Sequence, residues 1–415
     1  FLDATMCISA RVTKDKNADI IIKPSDGVDL KEADGYKGFL IRTSEKIEIF
    51  AHDSRGEASA LFMLEDIMSL EKAPFVPRED FYHRPAFSPQ MVHSGYGFDE
   101  YPDEYLARVA HEGRDAILVY TNGANITPTG YLNFNELIDR AERWGIDVYA
   151  YSVMPSEVHP LDEGAEEYYE NTYGTLFRNC PKLRGTTLVG ESVEFPTRDT
   201  RAHSGRYWEH DENGILHGKS SCGFYPCSDW VDFMNLLKKV IRRYKSDADI
   251  VLWSYNWGSQ PEKERVELIE KLPTDITLLA TFEMFEERKI GSVTTHCADY
   301  TLSFAGPGKY FISEAEAAHR RGIKLYAMTN TGGLTWDFGV VPYLPMPYQW
   351  MRRFEGMQKA HDTYGLSGIM ECHHFGFYPS FISRLAKWSF ALPRVDLNEI
   401  LARILKSEFG EDNYL

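Results

Sequence analysis

Three observations predict an α/β fold: a (β/α)₈ TIM barrel over residues 85–415, preceded by a small α+β domain over residues 1–84. Eight short apolar or β-branched runs follow residue 85, amphipathic helical stretches alternate with them, and no internal repeat relates the units. The stretch up to Phe81 is patterned differently, with strands in succession and then one helix. At 415 residues the chain is also longer than one barrel usually needs.

In chain order, residues 19–23, 36–42 and 46–51 read as strands, with Asp26-Gly27 and Asp34-Gly35 as turn signals. Ala58, Leu61, Phe62, Leu64, Ile67 and Met68 then recur at helical spacing after an Asp53-Ser54 start, which predicts a helix over residues 55–70. A linker holding Pro74, Pro77 and Pro85 follows. The barrel strands are expected at residues 90–94, 116–120, 147–152, 186–190, 250–254, 276–281, 324–329 and 368–372. Helices are expected at 104–112, 134–144, 162–178, 230–244, 262–271, 314–320 and 349–364, with a closing helix at 397–409. Several helices end in a glycine stop signal before the next strand, as at Gly145, Gly322 and Gly365.

Composition narrows the function classes. The net charge is −17, with 62 acidic against 45 basic residues, which argues against a nucleic-acid groove and against anionic membrane surfaces. No apolar run approaches the roughly 18–20 residues of a membrane span. The cysteines Cys7, Cys180, Cys222, Cys227, Cys297 and Cys372 are scattered, so free thiols and a reducing compartment are expected; only Cys222 and Cys227 are close in sequence. A cytoplasmic location follows, with secretion left open because the chain opens on Phe1. Phe, Trp and Tyr make up 13% of the residues, many of them in predicted loops, which suits stacking on sugar rings.

The decisive stretch runs from Leu183 to Phe195. The run 186–189 reads as the fourth barrel strand, and it stops at Gly190 with Glu191 immediately after and Glu194 three residues on. In a barrel of parallel strands that position opens onto the catalytic face. The other strand ends supply His93, Tyr255, Trp257, Glu283, Asn330, Trp336, Glu371, His373 and His374, and Tyr300 comes from the long loop 286–312 after strand six. These are the candidate substrate-binding residues. Trp253, Tyr255 and Trp257 alternate along a predicted strand, so they are divided between the barrel interior and the helix layer. Adjacent histidines on an extended segment face opposite ways, so His373 and His374 make a poor metal pair. Neither a metal nor an organic cofactor is expected.

Glycoside hydrolysis normally uses two carboxyl groups. Strand seven ends Met328-Thr329-Asn330-Thr331-Gly332-Gly333, with no carboxylate before Asp337 to serve as nucleophile. Attack by the substrate's own 2-acetamido oxygen accounts for an acid on strand four without that partner.

The segment Glu48-Ile49-Phe50-Ala51, then Gly56 leading into a helix with Leu61 and Leu64, resembles the small domain preceding the barrel in glycoside hydrolase family 20 β-N-acetylhexosaminidases. The barrel is similar to those enzymes and to related β-N-acetylgalactosaminidases and endo-β-N-acetylglucosaminidases. The resemblance implies an acid after strand four, an adjacent carboxylate that orients the acetamide, and an aromatic pocket. Family 20 carries consecutive Asp and Glu where this chain has Gly190-Glu191-Ser192-Val193-Glu194, which points to a sister family.

The catalytic pair is therefore Glu191 and Glu194. Glu191 is favoured as general acid/base and Glu194 as orienter, with the reverse assignment left open. The expected substrate is a carbohydrate with a terminal β-linked N-acetylhexosamine, leaning to N-acetylgalactosamine because His93, His373 and His374 could hold an axial hydroxyl. An endo-acting enzyme on longer glycans and a non-catalytic carbohydrate-binding barrel are the alternatives. An oligomer is compatible with the sequence.

Overall fold

The structure is a computed structural model. It describes all residues except 94–99, 203–207, 211, 214–215, 219–221, 298–299, 332–333, 336–340, 343, 373–376 and 411–415, with backbone alone at 208–210, 216–218, 334, 341–342 and 372.

Four strands near the N-terminus, β1 (Ile20–Lys23), β2 (Phe39–Thr43), β3 (Ile47–Ala51) and β4 (Asp80–Pro85), form a mixed sheet in the order β1-β3-β2-β4. Strands β1 and β3 are parallel and the other pairs antiparallel. The helix Ser54–Glu71 packs on this sheet. Asp53 caps it by accepting the Gly56 N–H at 2.7 Å, and Ala60, Met63, Leu64, Ile67 and Leu70 form its buried stripe.

Strand β4 occupies part of the stretch that the prolines mark as a linker. Its alternation is carried by only two inward residues: Phe81 lies against Phe39, and the His83 ring stacks on Phe39 at 5.0 Å. A short strand from far along the chain, Ala391–Leu392, pairs with Pro85 and Arg84 and completes the sheet at five strands.

The eight strands that follow close a parallel barrel in sequence order: β5 (Gln90–His93), β6 (Ala116–Thr121), β7 (Asp147–Ser152), β8 (Gly185–Val189), β9 (Asp249–Trp253), β10 (Thr277–Thr281), β11 (Lys324–Met328) and β12 (Leu366–Cys372). All eight lie where the sequence places them, to within two residues at each end. Alternation sorts their side chains. On β9, Val251 and Trp253 point into the barrel while Ile250 and Leu252 join the core between strands and helices.

The barrel floor is polar. Asp249 accepts hydrogen bonds from the Tyr149 hydroxyl at 3.0 Å, the Tyr326 hydroxyl at 2.7 Å and Thr277 Oγ1 at 2.6 Å. Burial pushes both tyrosine hydroxyls well above their ordinary range, so they remain donors.

Above the floor the interior fills with Met91, Leu118, Val189, Val251, Leu279, Met328 and Met370. Toward the C-terminal ends of the strands the residues become aromatic and polar. Hairpins decorate that face after the second, fourth, sixth and seventh barrel strands. The excursion after β10, expected as a loop over 286–312, contains the antiparallel pair Glu286–Ile290 and Val293–Cys297, and its helix begins at Lys309.

A helix absent from the sequence reading, Phe381–Ser389, is nine residues long and starts at a Ser380/Ser383 capping box. Its Arg384 meets Asp66 at 2.6 Å and its Trp388 donates to the same carboxylate, fastening the helix Ser54–Glu71 to the barrel.

Candidate active site

Strand β8 ends against a second glycine loop. A Cβ at Gly190 would lie 2.0 Å from the Gly223 carbonyl oxygen, so the turn after the strand exists because residue 190 has no side chain. The turn is then pinned by Cys222. Its thiol donates to the Val193 carbonyl at 3.3 Å and accepts the Phe195 N–H at 3.3 Å. Val193 and Phe195 are buried in the outer core, the latter stacked on Phe233, which orients the intervening residues.

Glu191 emerges half-buried at this turn. Asn256, in the 3₁₀ turn Tyr255–Trp257 directly after β9, holds it at two points. Asn256 Oδ1 accepts the Glu191 backbone N–H and Asn256 Nδ2 donates to Glu191 Oε2, each at 3.1 Å. Glu194 is 5% exposed and lies against Gly223, where a Cβ would come within 2.8 Å of Glu194 Oε1. The two glutamates thus differ in access, Glu191 reaching solvent more than Glu194.

The top of the barrel interior is an aromatic layer in which Tyr255 is partly exposed and the other rings are buried. His93 contacts Tyr120 at 4.6 Å and Tyr151 at 5.0 Å; Tyr151 meets Trp253, Trp253 meets Tyr255 at 4.8 Å, and Tyr255 meets Tyr300 at 6.1 Å. Five expected residues come together here: His93, Tyr255, Glu283, Tyr300 and Asn330. His93 has no exposed surface, so it sits within this layer and not at the rim where an axial hydroxyl would meet it.

Glu283 is also fully buried. Its Oε1 accepts from Asn330 Nδ2 at 3.1 Å and from the Thr301 N–H at 3.2 Å. Burial raises its carboxyl above the usual range, and Arg353 at 3.8 Å only partly opposes this. Arg353 is committed elsewhere: its guanidinium donates to the carbonyls of Thr301, Phe304, Ala305 and Thr329, tying together the loops after β10 and β11. Tyr300 and Asn330 adopt left-handed backbone with φ of 47° and 53°. That conformation is costly for a tyrosine and recurs at functional sites.

Two expected contacts lie elsewhere. Trp257 is 1% exposed and packs edge-on against Trp230 in the outer core. Because β9 stops at Trp253 and a 3₁₀ turn follows, the strand alternation expected through Tyr255 and Trp257 does not continue, and the turn sends Trp257 outward. Glu371 falls at a register shift of β12 against β5 and makes a fully buried ion pair with Arg114 Nε at 2.6 Å, away from solvent. Burial raises its carboxyl as well. Trp336, His373 and His374 lie outside the described residues. Among the described residues, no three His, Cys, Asp or Glu side chains group as metal ligands, and no helix is long and apolar enough to cross a membrane.

Sequence reasoning missed Asn256, Arg353 and the clamp made by Cys222. Asn256 could have been found as the amide between two aromatics just past strand five. Nothing local marks Arg353, which lies within a helix, or the role of Cys222, which depends on a loop 27 residues from its partner Phe195.

No family model and no curated protein matches the chain. Solved structures do. The (β/α)₈ barrel fold is shared with several glycoside hydrolases. A GH138 enzyme targeting pectin rhamnogalacturonan II superposes with a TM-score of 0.56 at 10% identity, over 94% of this chain and 48% of that one, so this chain spans about half its length. A glycoside hydrolase family 20 β-N-acetylglucosaminidase gives 0.54 at 12% identity, over 93% of this chain and 87% of its own. A β-N-acetylhexosaminidase from Bacteroides fragilis NCTC 9343 gives 0.51 at 12% identity, over 98% and 81%. At these identities the likeness is one of fold.

Proposed function

We propose that this protein is a retaining exo-β-N-acetylhexosaminidase that uses the 2-acetamido group of its substrate as nucleophile. The observation that carries this reading is the partly exposed Glu191 at the end of β8, held by Asn256 beside the aromatic layer at the top of the barrel. Glu191 then protonates the glycosidic oxygen while the acetamide oxygen attacks the anomeric carbon. The aglycone leaves as an alcohol, and Glu191 next takes a proton from the water that opens the oxazoline. Glu194, more deeply buried in the same turn, orients the acetamide. Tyr255, partly exposed, supplies a face on which the sugar stacks, and the buried Tyr300 ring backs it. The shared fold with two N-acetylhexosaminidases supports this choice of sugar.

A uronic-acid substrate of the pectin type would need a cation facing the mouth. Among the described residues, Arg353, the guanidinium near Glu283, is instead spent on four carbonyls.

The finer preference, for the galacto over the gluco sugar, rests on the resemblance to galactosaminidases. Comparing kcat/KM on aryl β-N-acetylgalactosaminide and β-N-acetylglucosaminide tests both levels. Turnover of either supports the class, a higher value for the galacto compound supports the preference, and turnover of neither overturns the exo reading.

A further inference from the structure

The contact between Asn256 and Glu191 is built more carefully than a surface hydrogen bond requires. Asn256 lies in a turn whose preceding residue, Ser254, is fully buried and anchored from three directions. Its N–H donates to the Leu279 carbonyl at 3.1 Å, its carbonyl accepts the Tyr310 hydroxyl at 2.5 Å, and its hydroxyl donates to Glu314 Oε2. Glu314 is in turn held by Arg265 Nη1 at 2.8 Å, and both side chains are almost wholly buried. The Arg265 guanidinium lies over the Tyr310 ring at 4.4 Å.

On the other side of the turn, Trp257 is wedged against Trp230, and Gly258 packs so closely on the Phe285 ring that a Cβ there would approach within 1.8 Å. A buried ion pair is costly to assemble. Here it fixes a turn whose one outward amide reaches the β8 glutamate.

We infer that Asn256 is the positioning residue of the acid. It sets the rotamer of Glu191 through its amide N–H and fixes the backbone of residue 191 through its amide oxygen, and the Arg265–Glu314–Ser254 network holds it in register. This inference rests on the reading of Glu191 as general acid. Because Nδ2 donates to Oε2, an amide at 256 tolerates a carboxylate beside it, whereas a second carboxylate would repel it. Fixing the carboxyl direction matters most for aglycones that cannot leave unprotonated.

The tests use Asn256→Ala and Asn256→Asp in the full chain. With aryl N-acetylhexosaminides, Asn256→Ala should lose about tenfold or more in kcat on poor leaving groups and much less on activated phenols. Asn256→Asp should move the alkaline limb of the kcat/KM profile to higher pH, because the new carboxylate disfavours ionisation of its neighbour. An equal loss on all leaving groups with an unmoved limb overturns the inference.

Amide hydrogen exchange decides the matter without activity. In Asn256→Ala the Glu191 amide should exchange at least about tenfold faster, while the Val193 amide, bonded to the Val189 carbonyl at 2.8 Å, should keep its rate. Unchanged exchange at Glu191 overturns the inference. Absence of turnover of these aryl glycosides by the unmutated protein, with exchange behaving as expected, overturns the exo-hydrolase reading alone.

Discussion

Gly190→Ala puts the geometry of the β8 turn under direct strain. A Cβ at residue 190 would sit 2.0 Å from the Gly223 oxygen and 3.0 Å from its carbonyl carbon. Heavy atoms in contact settle at about 3.5 Å, so relief needs a displacement of about 1 Å or more between the two segments. Gly223 cannot easily yield, because Glu194 lies on its other side and Cys222 is bonded to Val193 and Phe195. The strain should cost about 1–3 kcal/mol of stability, as overpacking does. Glu191, the proposed acid, is the next residue, and a 1 Å misplacement of a catalytic group costs about 10²-fold in rate. Urea unfolding and kcat/KM on an aryl N-acetylhexosaminide measure the two effects. Gly123→Ala is the control: it lies on the same face, and its added carbon meets only Ile126 Cδ1 at 3.7 Å. That control should stay within about 0.5 kcal/mol. If Gly190→Ala behaves like the control in both assays, the close approach to Gly223 does not set the position of Glu191.

Glu283→Gln tests the raised carboxyl at the mouth. Below its unfolded pKa of about 4.3, both states carry the proton and the raised value costs nothing. As pH rises, the unfolded chain ionises first, and stability falls until the folded carboxyl ionises too. Glutamine removes that loss, so the variant should match the unmutated protein near pH 4 and melt higher at about pH 8; a lower melting point at pH 8 refutes the account. Arg114→Met leaves Glu371 buried without its partner and should cost about 3 kcal/mol at neutral pH. The cost should shrink on acidification as Glu371 takes up a proton, and an equal cost at both pH values in urea unfolding refutes it.

The barrel was legible because its strands are buried on both faces and read as continuous apolar runs, bounded by glycine and charged turns. Strand β4 was obscured because Pro77 and Pro85 frame it, and Pro85 pairs only with Ala391, far away in sequence. Within the site, Glu191 was visible because a carboxylate directly after a strand-ending glycine is a local pattern. Trp257 misled for an equally local reason. Alternation extends a strand on paper, but hydrogen bonding ended it at Trp253 and turned the chain. Arg353 was illegible because its partners are loop carbonyls, and the Arg265–Glu314 pair because it joins two helices, far apart in sequence, that meet only when the barrel closes.

The central claim is that Glu191 is the general acid, and Glu191→Gln measured against leaving-group ability tests it most directly. The glutamine keeps the shape and the Asn256 contacts but cannot donate the proton. The account predicts a loss of about 10²–10⁴-fold on poor leaving groups. It predicts a much smaller loss on activated phenols, and rescue of the variant by azide. A uniform loss across leaving groups without azide rescue, or a loss below about tenfold, which is ~1.4 kcal/mol of transition-state stabilisation, would contradict it.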